Sequence, residues 1–179
     1  LVHVTLSWTP QPGRPDCDLS ALALGVGGTV GGDADFVFYN APAHPSGRIT
    51  HRGAVRGPGT DTVEVDLTGL PAPVDRVVLA ASADGAPFAG VGTMRVTVSE
   101  PAGVPLVTTV LAGQAETALL TVELYRRAGA WKVRSVGAGY ADGLAGLARD
   151  FGIHVDPPTP VPTPAPTPAG QPAPRPQPA

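Results

Sequence analysis

Glycine and proline divide most of this chain into short apolar segments, and this spacing constrains its fold more than any other feature. The 179 residues include 23 glycines and 22 prolines, and the segments between them are rich in valine and leucine. Short segments of this kind, without regularly alternating helical patterns, are typical of an antiparallel, mostly all-β sandwich. We predict strands near residues 2–8, 19–26, 34–40, 62–67, 75–82, 93–99, 104–110, 117–126 and 130–137.

Two local patterns add to this prediction near the C-terminal end of the sandwich. A short turn at Arg127-Ala128-Gly129 separates the last two strands and predicts a hairpin, because glycine can supply a positive φ. One short helix is predicted over 142–151, with Asp142 as its N-cap and Gly152 closing its other end. Its apolar side chains recur at helical spacing, at Leu144, Leu147, Ala148 and Phe151.

The composition changes abruptly at the end of the chain. From residue 156 onward the sequence reads DPPTPVPTPAPTPAGQPAPRPQPA, with proline at nearly every second position. Such a segment has too few apolar side chains to form a core, so we predict a disordered, extended tail. The predicted division is a sandwich domain over 1–155 and a linker or tail over 156–179, which could be a passive spacer or a ligand for a proline-recognition groove.

Charge and cysteine content exclude several classes of function. The net charge is −3 and Lys132 is the only lysine, so no basic patch supports a nucleic-acid partner. No apolar run approaches the roughly 20 residues of a membrane span. The single cysteine, Cys17, cannot form an internal disulfide, and a cytoplasmic location is expected by default.

Motifs of common enzymes are absent from the sequence, and we predict that the chain is not an enzyme. It contains no G-x-S-x-G elbow, no H-E-x-x-H and no phosphate-binding glycine loop. Cys17 lies between two aspartates, which would raise its pKa and weaken it as a nucleophile. His44 and His51 flank a predicted turn; they could meet across a hairpin or lie singly on the surface, and no transition-metal site is predicted.

Two acidic doublets adjoin predicted core strands and suggest a cation site. They are Asp16-Cys17-Asp18 and Asp33-Ala34-Asp35, and Asp61 begins another strand. In extended backbone, residues i and i+2 point the same way about 7 Å apart, so each doublet would present two repelling carboxylates to one side. Calcium, which takes oxygen ligands in irregular loops, would relieve that repulsion if the loops converge. The alternative is that the aspartates stabilise their own turns at opposite ends of the fold.

The order of motifs along residues 2–155 resembles the TerD family of tellurium-resistance and stress-response proteins. The resemblance rests on D-C-D-L-S-A-L-A-L-G, D-A-D-F-V-F-Y-N, and the distal E-L-Y-R-R-A-G-A-W-K and G-A-G-Y. It implies a compact, usually cytoplasmic β-sandwich that binds calcium through acidic loops. The ligand candidates on the family's acidic motifs are Asp16, Asp18, Asp33, Asp35 and Asn40. The family commonly has a longer acidic loop at the segment 57–64, and this chain keeps only Asp61 and Glu64 there.

Departures from the family pattern qualify this expectation. The segment 57–64 has fewer carboxylates than the family's loop. This predicts weaker calcium binding, because affinity rises with the number of carboxylate ligands. The sequence also has Ala138 where glutamine is usual. Our first hypothesis is a non-enzymatic calcium-binding domain in tellurite or stress resistance, acting as a scaffold or sensor with protein partners. The alternative is a metal-free interaction module that the proline-rich tail links to another domain or partner.

Overall fold

The computed structural model of the chain describes residues 1–54, 58–83 and 86–153, which form two five-stranded antiparallel sheets. The strands are β1 (Val2–Ser7), β2 (Cys17–Leu24), β3 (Phe36–Val37), β4 (Ile49–Gly53), β5 (Thr60–Val65), β6 (Arg76–Ala83), β7 (Thr93–Ser99), β8 (Pro105–Ala112), β9 (Ala118–Arg127) and β10 (Ala130–Tyr140). One sheet has the order β4-β5-β1-β7-β8, and the other β10-β9-β6-β2-β3. The predicted mostly-β, antiparallel sandwich is therefore confirmed.

The main core lies between the two sheets. In β5, Val63 and Val65 point into this core while Glu64 points outward, as the two-residue period of a strand requires. In β2, by contrast, nearly every side chain is buried, because its outer face is covered as well. Leu22 and Leu24 belong to a second, smaller core on that outer face.

A short α-helix, α1 (Gly143–Phe151), covers this second core. Leu147 and Ala148 are buried, and Gly152 ends the helix in a left-handed conformation with φ of 77°. The predicted helix is confirmed, with two corrections. Leu144 is 41% exposed rather than part of the packed stripe, and the Asp142 side chain makes no capping hydrogen bond but pairs with Arg149.

Two segments differ from the strands expected from the sequence. The predicted strand 34–40 is reduced to Phe36–Val37, because a 3-10 turn precedes it and a hydrogen-bonded turn from Phe38 to Ala41 follows it. The strand β4 was not predicted at all. Its sequence, Ile49-Thr50-His51-Arg52-Gly53, contains only one strongly apolar residue, and its place in the sheet comes from pairing with β5.

The proline-rich tail lies outside the described residues, so the division at residue 155 stays a prediction. Within the described ranges, no helix combines the length and the apolar composition that crossing a membrane requires. The α-helix of those ranges, α1, has nine residues.

Candidate functional site

Three of the predicted ligands line one cavity at the end of the sandwich where β2 and β5 begin. Asp16 and Asp18 flank the first residue of β2, and Asp61 is the second residue of β5. All three line a cavity of about 450 Å³, together with Trp8 and Tyr39. Because β2 and β5 belong to different sheets, the packing of the sandwich brings together carboxylates that are far apart in sequence.

The Asp61 carboxylate is buried and joins the two sheets. Its Oδ2 accepts a hydrogen bond from the backbone N–H of Leu19 in β2 at 2.7 Å, and its Oδ1 accepts one from Thr62 at 2.9 Å. The short strand β3 pairs only with Ala21 and Leu22, so it does not reach the Leu19 N–H. The Asp61 carboxylate therefore accepts the hydrogen bond that a backbone carbonyl of a neighbouring strand would otherwise accept.

His51 completes the environment of Asp61, and sequence analysis did not foresee this role. Its Nε2 lies 2.9 Å from Asp61 Oδ2 and donates its hydrogen to that oxygen. Both side chains are largely buried, at 8% and 6% exposure. The expectation that His51 lies singly on the surface is thus wrong. Recognition of β4 as a strand paired with β5 would have placed His51 near Asp61.

The second doublet is not part of this cavity. Asp33 and Asp35 form a 3-10 turn rather than extended backbone, so the i, i+2 argument does not apply to them. The antiparallel register of β3 places Asp35 beside Ala23, roughly 17 Å along β2 from Asp18 at about 3.3 Å per residue. Asp35 lines a different cavity of about 460 Å³, and the structure therefore does not bring the two doublets together.

Asp35 is held by bonds of its own turn and by a histidine. Its Oδ2 accepts the N–H of Gly31 at 2.7 Å, and its Oδ1 lies 3.0 Å from Nε2 of His44. The His44 ring is buried, and its Nδ1 accepts the backbone N–H of Ser46 at 3.1 Å. His44, like His51, is a buried partner of an aspartate and not a surface histidine.

The last two candidates, Asn40 and Glu64, do not line the cavity that holds Asp16, Asp18 and Asp61. Asn40 is an exposed residue of the turn between Phe38 and Ala41. Glu64 lies on the outward face of β5, opposite in direction to Asp61, and its two carboxylate oxygens each accept a hydrogen bond from Arg52 at 3.2 Å. This pairing already compensates the charge of Glu64.

Cys17 also lines the cavity of Asp16, Asp18 and Asp61, but its thiol is buried and unreactive. It is 3% exposed, and its Sγ is 4.0 Å from the Sδ of Met94. Burial, with the charges of Asp16 and Asp18 adding to it, raises the pKa of the thiol to about 12. Because the thiolate is the reactive form, Cys17 is a packing residue at neutral pH.

The residues present fit calcium only in part. Within residues 1–54, 58–83 and 86–153, no three or more His, Cys, Asp or Glu side chains are arranged to hold a metal ion directly. The cavity nevertheless supplies three carboxylates, and Asp61 Oδ1, which accepts the backbone N–H of Thr62, is a carboxylate oxygen that can accept a second bond. Of the seven predicted ligands, Asp16, Asp18 and Asp61 are the set that the cavity supports.

Comparison with known proteins gives a consistent result over this whole region. The TerD domain model matches residues 1–151. The chain is similar to the tellurium resistance protein TerD of an Alcaligenes species, with 36% identity over 151 residues that cover 78% of this chain and 79% of the relative. It is also similar to general stress protein 16U of Bacillus subtilis (strain 168), with 34% identity over 152 residues and the same coverage of both chains.

A solved structure shows the same fold. It is the crystal structure of a homologue of telluride resistance protein (TerD) from Streptomyces coelicolor A3(2), and it matches with a TM-score of 0.65 at 23% sequence identity. The match covers 82% of this chain and 94% of that one.

Proposed function

Because this chain belongs to the TerD family, we propose that it is a non-enzymatic, cytoplasmic calcium-binding domain that acts in tellurium or stress resistance as a scaffold or sensor. One observation carries the calcium part of this proposal. Asp16 and Asp18, at the start of β2, and Asp61, near the start of β5 in the other sheet, line the same cavity. The role in resistance rests on relatives that are named for tellurium resistance and general stress.

The proposed ligands differ in how readily they could reach an ion. Asp16 is exposed, and its Oδ1 accepts the N–H of Cys17 at 3.0 Å. Asp18 is half-buried, and Asp61 would contribute the remaining acceptor position of Oδ1. Calcium takes about six to eight oxygens, so backbone carbonyls and water would complete the shell. Three carboxylates make a weak site compared with one that has four or five.

Calcium titration of the full chain by calorimetry tests this assignment. We expect a binding heat for the wild type that is lost in Asp18→Asn. The matched control is Asp33→Asn, which removes one charge from the other acidic doublet and should bind calcium as the wild type does. A saturating ligand also raises stability, by about 2.7 kcal/mol at 100 times its dissociation constant, so the melting temperature should rise with calcium and fall back with chelator.

Two results would overturn the calcium assignment. The first is the absence of both a binding heat and a melting shift at millimolar calcium. The second is equal loss of binding in Asp33→Asn and Asp18→Asn, since a general effect of negative charge would explain it without a cavity.

A second candidate is the metal-free interaction module, and the histidine pairs favour it. His51 and His44 hold Asp61 and Asp35 through hydrogen bonds that need no ion. In this case the sandwich serves only as a docking domain, and the proline-rich tail over 156–179 links it to another domain or partner. Partner capture that is unchanged by chelator, together with the absence of calcium binding, would favour this candidate over the first.

A further inference from the structure

A groove at one end of the sandwich is lined by a tryptophan and two arginines. It lies between the β9–β10 hairpin and the segment that follows β5, and its volume is about 390 Å³. Its polar lining side chains are Thr68, Arg126, Arg127 and Trp131, and Leu67 and small residues of the hairpin complete its walls. Trp131 is half-buried. This Trp131 groove lies where β5 ends, whereas the candidate calcium cavity lies where β5 begins.

The Trp131 groove is preformed, because Arg126 holds its walls in place. The Nε of Arg126 donates to the carbonyl of Val74 at 3.0 Å, and its second guanidinium nitrogen, Nη2, donates to the carbonyl of Leu70 at 3.2 Å. The guanidinium also lies over the indole of Trp131, with Cζ 4.6 Å from the ring centroid, and this cation–π contact fixes the ring. A groove that is already ordered binds a ligand without the cost of ordering its own side chains.

The chemistry of the Trp131 groove selects the kind of ligand it fits. Arginine and indole groups donate hydrogen bonds and do not accept them, and none of the described residues that line the groove is acidic. Three other cavities of similar size are each lined by at least one aspartate. A proline-rich chain offers backbone carbonyls as acceptors and few N–H donors. Such chains adopt the polyproline helix and dock in aromatic-lined grooves.

We propose that the proline-rich tail of this chain, through residues 157–169, docks in its own Trp131 groove. That segment reads PPTPVPTPAPTPA and contains no charged side chain. Its prolines stack on the indole of Trp131, and its backbone carbonyls accept hydrogen bonds from Trp131 and Arg127. The occupant is therefore a part of the same chain that lies beyond the last described residue.

The chain leaves the described fold at the same end as the groove. The carbonyl of Phe151 accepts the N–H of Val30, which follows β2. Directly opposed residues run in one row from Leu24, at the end of β2, through β6 and β9 to Lys132 in β10, beside the groove. Three strand spacings make about 14 Å. A polyproline helix advances about 3.1 Å per residue, so roughly five residues cross this distance, and the sequence has many more after Ile153.

Attachment to the same chain lets even a weak contact fill the groove. A short flexible tether gives an effective concentration of about 1 mM. With a dissociation constant of about 0.1 mM for the free segment, the tethered tail occupies the groove in roughly nine of ten molecules. The filled groove then binds a free proline-rich peptide about tenfold more weakly than an empty groove does. The tail thus acts as a built-in competitor for other proline-rich ligands.

Nuclear magnetic resonance of the full chain tests the docking. The chain has two tryptophans, Trp8 and Trp131, so Trp8→Phe assigns both indole N–H signals. The tail variant carries Pro160→Gly, Pro162→Gly, Pro164→Gly and Pro166→Gly. We expect it to move the Trp131 signal and to leave that of Trp8, which lines the candidate calcium cavity at the other end. The matched control carries the same change nearer the end of the chain, at Pro172, Pro174, Pro176 and Pro178, and should move neither signal.

A free peptide tests whether the tail competes for the groove. The probe is a synthetic peptide with the sequence of residues 157–170, added to the wild type and to the tail variant. The Trp131 signal of the tail variant should titrate at about tenfold lower peptide concentration than that of the wild type. A peptide with every proline replaced by alanine should shift neither protein, because it lacks the preformed polyproline helix.

Three results would overturn the proposal. One is a Trp131 signal that is the same in the wild type and in the tail variant. Another is a wild-type signal that moves on dilution, since the tail of a second copy would then be the occupant. The third is a free peptide that binds the tail variant no more tightly than the wild type, because the groove of the wild type would then be empty.

Discussion

Replacement of Asp61 by alanine is the sharpest test of what holds the candidate site together. In the folded chain this carboxylate accepts hydrogen bonds from Leu19, Thr62 and His51. The first of these crosses from one sheet to the other. Asp61 is buried, with only 4% of the residue exposed. Water therefore cannot readily replace the lost acceptor. Asp61→Ala therefore removes a structural contact whether or not calcium ever binds.

The expected loss of stability follows from the groups left without an acceptor. The Leu19 N–H belongs to a fully buried residue, and the His51 ring is largely buried. Each buried donor left unpaired costs about 1–3 kcal/mol, so the two together predict a loss of about 2–6 kcal/mol. That is a large fraction of the roughly 5–15 kcal/mol that stabilises a typical domain. Asp61→Asn keeps one acceptor oxygen and should lose about half as much.

Urea unfolding in the presence of chelator measures this loss without any contribution from metal. The matched control is Asp16→Ala, which removes a carboxylate from the same cavity but from an exposed residue, and should change stability by no more than about 0.5 kcal/mol. A loss below about 1 kcal/mol in Asp61→Ala would refute the structural role argued from the hydrogen bonds. If that variant were destabilised only relative to the calcium-loaded wild type, Asp61 would act solely as a ligand.

Two further predictions concern the buried residues Cys17 and Gly113. Cys17 should not react with a thiol reagent at pH 8 in the folded chain and should react at once in urea, because its pKa is raised to about 12 and it is buried; rapid labelling of the native chain would contradict this. Gly113→Ala should destabilise by about 1–3 kcal/mol, since a Cβ there would lie 2.4 Å from Cβ of Phe88, whereas Gly32→Ala, with no neighbouring atom within 4 Å, should be nearly neutral in the same urea assay.

The strands that the sequence predicted well are those whose own side chains specify them. Residues 93–99 coincide with β7, and the hairpin before β10 has positive φ at Ala128 and Gly129, as a tight two-residue turn requires. The helix at 143–151 was visible from its apolar spacing. These elements depend on local patterns of period 2 or 3.6, which a single sequence contains.

The site was harder to predict because its partners come from distant segments. The strand β4 has a mostly polar sequence, and only its pairing with β5 makes it a strand. Without β4, the proximity of His51 to Asp61 cannot be inferred. The doublets raised a different difficulty: both contain D-x-D, yet Asp16 and Asp18 flank a strand residue while Asp33 and Asp35 bound a 3-10 turn. The spacing of two aspartates alone does not reveal which backbone they adopt.

These two findings change what the acidic residues can be taken to mean. A count of carboxylates treats each one as a charge that a cation must balance. In this chain Asp35 and Asp61 each accept a hydrogen bond from a buried histidine, and Glu64 pairs with Arg52. These contacts give the three residues a structural role that does not depend on an ion. If the proposed calcium assignment is right, Asp35 and Glu64 should contribute to stability in chelator as much as in calcium. Asp61 should contribute more in calcium, because it is a proposed ligand as well as a hydrogen-bond acceptor.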